Sequence, residues 1–210
     1  MADRDNAAGR PSPIRFLLAS SNAGKLREYR ELARNSPLDV DLLPSFSELA
    51  TFEETAPTFA ENAVGKALYY GRFTDELVAA EDSGLVVPAL GGAPGVYSAR
   101  YAGPKGTEAE CVRKLLGAME GKRGSERRAH FVCVIALARK GRVLAVVSDF
   151  VEGLISDEPR GAHGFGYDPV FLLPDIGRTS AEIPQDEKNR LSHRGKAFRK
   201  LQAILTNPSF

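Results

Sequence analysis

The run Ser20-Ser21-Asn22-Ala23-Gly24-Lys25 sets small hydroxyls, a glycine and an ammonium group where an apolar stretch gives way to a helical pattern. Main-chain N–H groups at a helix start, where the helix dipole is positive, suit phosphate oxygens. The run is not a Walker A loop, which needs Gly at Ala19 and Ser or Thr at Leu26. Read alone, it fits a capped helix with a solvated lysine at least as well. A second group is acidic: Glu53, Glu54, Glu61, Glu81 and Asp82. Phosphate chains travel with Mg²⁺, a hard cation that takes carboxylate and water oxygens. Glu61 completes a capping box from Thr58, and Glu53 and Glu54 read equally as a solvated loop. Asp82 stands apart, because an apolar strand should deliver Glu81-Asp82-Ser83-Gly84 to its end. A carboxylate there can hold a metal or activate water.

Two further groups lie late in the chain. Gly164-Phe165-Gly166-Tyr167-Asp168-Pro169 lacks the third glycine of a dinucleotide loop, yet an aromatic beside flexible backbone suits a planar base. Plain core packing explains Phe165 and Tyr167 equally well. Asp186-Glu187-Lys188 precedes Ser192-His193-Arg194-Gly195, where His193 and Arg194 offer donors to an anion or a carbonyl oxygen.

The elements that must position these groups follow from periodicity. Residues 14–19 read as a strand, with a helix beyond it bearing Leu26, Tyr29 and Ala33 on one face. A strand over 39–43 ends at Pro44, 46–57 reads as loop, and Thr58 caps a helix reaching about residue 73. A strand over 77–80 leads to the Glu81-Asp82-Ser83-Gly84 turn, and 91–103 is an irregular glycine-rich loop. Thr107 caps a helix with Val112, Leu115, Leu116 and Met119 on one side; 130–138 and 143–151 form a hairpin around Lys140 and Gly141. A strand over 170–173 and a helix over 194–205 complete the pattern. The expectation is a single α/β domain over 13–210 with two lobes around a cleft, behind a polar, disordered leader over 1–12.

Composition narrows the partners. The 210 residues are 43% hydrophobic and 26% charged, ample for a core, with a formal charge of +1. That balance gives no global field toward nucleic acid or an anionic membrane, so an anion site must be local. The apolar run 131–138 falls far short of the roughly 20 residues a spanning helix needs. Without a signal-like leader, a cytoplasmic protein is expected. Cys111 and Cys133 are isolated and read as structural thiols.

Taken together, SSNAGKLRE, EETAPTFAENAVGKA, EDSGLVVPALGGAPGVYSARYAG, GFGYDPVF and DEKNRLSHRG, in that order, resemble the inosine triphosphate pyrophosphatase family over about 14–205. The resemblance implies an elongated α/β fold with a long, mixed, twisted sheet, a central cleft and usually a homodimer. It implies Mg²⁺-dependent hydrolysis of noncanonical purine nucleoside triphosphates (ITP, dITP, XTP) to the monophosphate and pyrophosphate. Carried over by position, Ser20 to Lys25 hold the triphosphate, with Lys66 and Lys188 adding positive charge. Asp82 is then general base and metal ligand, Glu53 the second metal carboxylate, and Ser83 a substrate contact. Phe165, Gly166, Tyr167 and Asp168, with His193 and Arg194, form the base pocket. Two positions depart from the family pattern: Ser21 stands where Gly is frequent, and Glu81 where Asp is usual, with a longer arm able to shift metal placement. A pyrophosphatase for pyrimidine or other modified nucleotides, or a nucleotide-binding protein without turnover, remains the alternative reading.

Overall fold

The computed structural model describes residues 13–210, so the expected leader lies outside the described residues. The apolar run at the start is strand β1 (Ile14–Leu18), followed by helix α1 (Ala23–Ala33), strand β2 (Leu38–Leu42) and helix α2 (Phe59–Tyr70). Strand β3 (Val78–Val86) leads to helix α3 (Glu108–Ala118) and then to the hairpin of β4 (Arg128–Arg139) and β5 (Arg142–Ile155). Short strands β6 (Phe171–Leu173) and β7 (Arg178–Thr179) precede helices α4 (Gln185–Leu191) and α5 (His193–Leu205). Capping follows the sequence: the Asn22 side chain accepts from the Lys25 N–H, and Thr58 and Thr107 accept from Glu61 and Glu110.

One sheet in the order β2-β1-β3-β4-β5-β6-β7 runs through the molecule. It is mixed: β1 is parallel to β2 and β3, and every later pairing is antiparallel. The hairpin turns at Lys140 and Gly141, both in the left-handed region at φ 49° and 73°, as a two-residue turn matched to strand twist requires. Helices α1 and α5 cover one face through Tyr29, Ala33, Phe198 and Leu201, and α2 covers the other through Ala63 and Ala67. A third cluster around Leu115, Met119, Phe171 and Ile183 builds the far end. The expected mixed α/β architecture is therefore present.

The sequence misplaces one turn. Glu81-Asp82-Ser83-Gly84 does not end its strand; β3 continues to Val86, with Asp82 opposite Val134 and Gly84 opposite Val132 on β4. Gly84 is there for close approach, since a Cβ on it would sit 2.4 Å from Ser98 Oγ and 2.6 Å from the Gly95 carbonyl oxygen. The partner strand β1 reaches only as far as Leu18 opposite Ala79. Beyond that point no named strand pairs with β3 on this side, and between there and the isolated bridge of Val86 to Pro94 the cleft opens, at the carboxyl end of β1.

Candidate active site

A cavity of about 540 Å³ lies at this opening, lined by the start of α1, the exposed edge of β3 and the loop carrying Phe165. Alternation along β3 sends consecutive side chains to opposite faces. Asp82 shares the α2 side with Val78 and Ala80, whereas Glu81 shares the α1 and α5 side with Ala79.

Asp82 is 5% exposed. Its Oδ1 accepts from the Ser83 N–H at 3.0 Å, while Oδ2 is buried without a partner. Burial, then the nearby Glu54 charge, push its carboxyl above the usual aspartate range, with Lys66 and Lys25 acting the other way. Lys66 on α2 pairs with the Glu54 carboxylate and donates to the Glu81 main-chain carbonyl at 3.1 Å. Arg100 fixes the Glu54 loop by donating to the Glu54 carbonyl at 2.7 Å. Glu54 lines the cavity, and Glu53 is exposed outside it. Of the two neighbours, Glu54 and not Glu53 is thus brought into the cavity: in an extended loop neighbours point apart, and the Arg100 and Lys66 contacts hold Glu54 there.

Among the described residues no group of three or more His, Cys, Asp or Glu side chains gathers into a closed metal site. The open Asp82 Oδ2 and the Glu54 carboxylate fit a hard divalent cation that keeps waters and phosphate oxygens as its other ligands. Glu81 does not belong to that set, because its carboxylate is taken by Arg194, Ser83 and Lys25 on the opposite face.

Around the phosphate loop, Ser20, Ser21, Asn22 and Lys25 line the cavity. Asn22 caps the Lys25 N–H, which leaves the first-turn N–H groups of Ala23 and Gly24 for a ligand. Gly24 also lets the far loop close in, since a Cβ there would lie 2.9 Å from Phe165 Cδ1.

At the far end of the cavity the charged groups are paired with one another. Lys188 lines the cavity, is 4% exposed, and is bonded to Glu28 at 2.7 Å and Asp168 at 2.6 Å, which offset its charge. Asp168 also accepts from the Phe165 N–H at 2.8 Å, and burial raises its carboxyl despite Lys188. Arg194 is 2% exposed; two of its nitrogens donate to Glu81, each at 2.8 Å, and Nη1 donates to Glu28. Burial alone would raise the Glu28 carboxyl, but Arg194 and Lys188 bring it down to about 2. His193 stacks on Phe131 at 4.8 Å, with Nδ1 buried and unpartnered. Burial, then the Arg194 charge, lower it to about 3, so it is neutral at working pH. Phe165 lines the cavity, with Lys188 Nζ 5.1 Å and Arg194 Cζ 5.4 Å from the centre of its ring. Gly166 donates its N–H to Glu108 on α3 at 2.8 Å. Tyr167 lines the cavity and also packs into the core: it is 5% exposed and donates its hydroxyl to the Ser98 carbonyl at 2.8 Å.

Sequence reading missed Glu28 and Glu108, and it set Glu53 ahead of Glu54. Glu28 left a signal, a carboxylate adjoining Tyr29 on the buried face of α1.

An unpartnered buried carboxylate, two lysines and a helix start, gathered beside the carboxyl end of β1 in an α/β cleft, define an enzyme that works on a phosphate chain. The family model described as the Ham1 family matches residues 16–204, and the chain belongs to that family. It is 50% identical over 198 residues to the dITP/XTP pyrophosphatase of Gloeobacter violaceus, covering 94% of this chain and 97% of that one. With the Bacillus licheniformis dITP/XTP pyrophosphatase the identity is 45% over 189 residues, covering 90% and 96%. A solved HAM1 protein from Coxiella burnetii superposes with a TM-score of 0.82 at 44% identity, over 92% of this chain and 98% of that one. The resemblance read from the five motifs is borne out.

Proposed function

We propose that the chain hydrolyses ITP, dITP and XTP to the monophosphate and pyrophosphate, clearing noncanonical purines from the nucleotide pool. The observation that carries the reading is Asp82, buried with one oxygen open beside the start of α1 and Lys66. The relatives' shared activity supports the same assignment.

The N–H groups of Ala23 and Gly24, with Ser20, Lys25 and Lys66, bind the triphosphate and offset its charge. Asp82 accepts a proton from the attacking water, whose oxygen bonds to the α-phosphorus. The bond from the α-phosphorus to the bridging oxygen breaks, and pyrophosphate leaves. The raised Asp82 carboxyl makes it a better proton acceptor than an exposed aspartate. Asp82 and Glu54 would hold a Mg²⁺ ion, which when bound would add neutralisation of the phosphate oxygens.

At the other end the purine stacks on Phe165, and its 6-oxo group meets donors from Arg194, His193 or main-chain N–H groups. Adenine would set its 6-amino group against those donors, a buried mismatch. A homodimer is supported by the outer face of β5, where Leu144, Val146 and Phe150 are 42%, 46% and 50% exposed, with Ser148 between the last two. No helix among the described residues is long and apolar enough to cross a membrane. The nucleotide pool that the proposed reaction would clear is the reason to assign the work to the cytoplasm.

Pyrophosphate release from ITP, XTP, GTP, ATP and a pyrimidine triphosphate, with and without Mg²⁺, tests the reading. Release from ITP and XTP with Mg²⁺, far above that from ATP, is expected. Preference for the pyrimidine, or tight ITP binding with no release, would establish one of the alternatives instead.

A further inference from the structure

Glu81 lies behind the cavity wall and bonds to residues that line both of its ends. Its side chain is fully buried, and three different residues converge on one oxygen. Oε1 accepts from Ser83 Oγ at 2.6 Å and Arg194 Nη2 at 2.8 Å, and lies 3.2 Å from Lys25 Nζ. Oε2 accepts from Arg194 Nε at 2.8 Å, and the Glu81 main-chain carbonyl receives Lys66 at 3.1 Å. Lys25 and Arg194 are like charges that would separate without an anion between them. The Arg194 guanidinium is fixed on its other edge by Glu28, so it cannot follow Lys25 if the shared carboxylate is lost.

We propose that Glu81 is a positioning residue, whose single carboxylate holds Lys25 and Ser83 for the phosphates and Arg194 for the base. The identity of the base and the presentation of the α-phosphorus are then set by the same group. This rests on the functional reading above. The longer arm noted at this position acts on the cations, not on the metal. Glutamine in its place keeps the shape but removes the charge, and its amide N–H group would face other donors. Aspartate keeps the charge on an arm one carbon shorter.

The test compares wild type, Glu81→Gln and Glu81→Asp in kcat and KM for ITP and ATP, and in inhibition by pyrophosphate, per amount of folded enzyme. Glu81→Gln is expected to lower kcat/KM for ITP by about tenfold to a hundredfold, weaken pyrophosphate inhibition and narrow the ITP-to-ATP ratio, with Glu81→Asp recovering part of each. A Glu81→Gln enzyme that loses only thermal stability, with the ratio and the pyrophosphate inhibition unchanged, overturns the proposal. If that variant is not recovered folded, a double-mutant cycle of Lys25→Gln and Arg194→Lys on kcat/KM decides. Non-additivity of about threefold or more sustains the coupling, and independent effects overturn it. Wild-type enzyme that releases no pyrophosphate from ITP defeats the functional reading; the same Lys25–Arg194 cycle, read in pyrophosphate binding, still reports on Glu81.

Discussion

Arg194 and Glu81, 113 residues apart, form a two-pronged ion pair in which both hydrogen bonds are 2.8 Å long and both side chains are buried. Arg194 also pairs with Glu28, so its truncation leaves two carboxylates out of water without their principal partner. Arg194→Ala should therefore destabilise the fold by about 3–5 kcal/mol, measured by urea unfolding. Loss of under about 1 kcal/mol would mean that water or Lys188 replaces the guanidinium.

Asp82→Asn should lower turnover of ITP by a factor of at least about 10²–10⁴ while nucleotide binding is largely kept. Asparagine fills the same space but cannot take the proton. Rapid-mixing kinetics and a binding titration on the same preparation check both halves. Near wild-type turnover would remove Asp82 as the base.

Glu54 and Glu53 should separate cleanly. Glu54→Gln should raise the Mg²⁺ concentration for half-maximal rate by about tenfold or more, whereas Glu53→Gln, altering an exposed side chain, should leave it unchanged. The reverse order would restore the assignment first read from sequence.

Acid should weaken the fold in two stages. Unfolded, His193 gains a proton near pH 6.5, but folded it resists until about 3, so the unfolded state binds more protons across that window. Stability then falls as pH drops below about 6.5. Glu28 adds a second loss between about 4.5 and 2, because its paired carboxylate stays charged when the unfolded one is protonated. Melting temperatures from pH 7.5 to 3 check this, and His193→Gln should remove the upper stage. A melting temperature that stays flat down to pH 4.5 would contradict the buried neutral imidazole.

Much of this was legible along the chain, for local reasons. The α1 start and its Asn22 cap depend on a few adjacent residues, and Asp82 was marked by the apolar strand before it. The strand's continuation through Gly84 was not, because it depends on pairing with β4 and on Ser98 pressing against the glycine. Glu54 was chosen over Glu53 by Arg100, 46 residues away, and Lys188 was neutralised by Glu28 across 160 residues. Helix α4 has no apolar stripe to announce it; its sequence, QDEKNRL, is almost wholly polar. In each case the deciding partner is remote in sequence, and no local pattern encodes it.

In the proposed reaction water attacks the α-phosphorus of the triphosphate. Hydrolysis of ITP in ¹⁸O-water, followed by mass spectrometry of the products, shows which phosphorus is attacked. Attack at the α-phosphorus puts one ¹⁸O in the inosine monophosphate and leaves the pyrophosphate unlabelled. Label in pyrophosphate, or formation of the diphosphate with labelled orthophosphate, would contradict it.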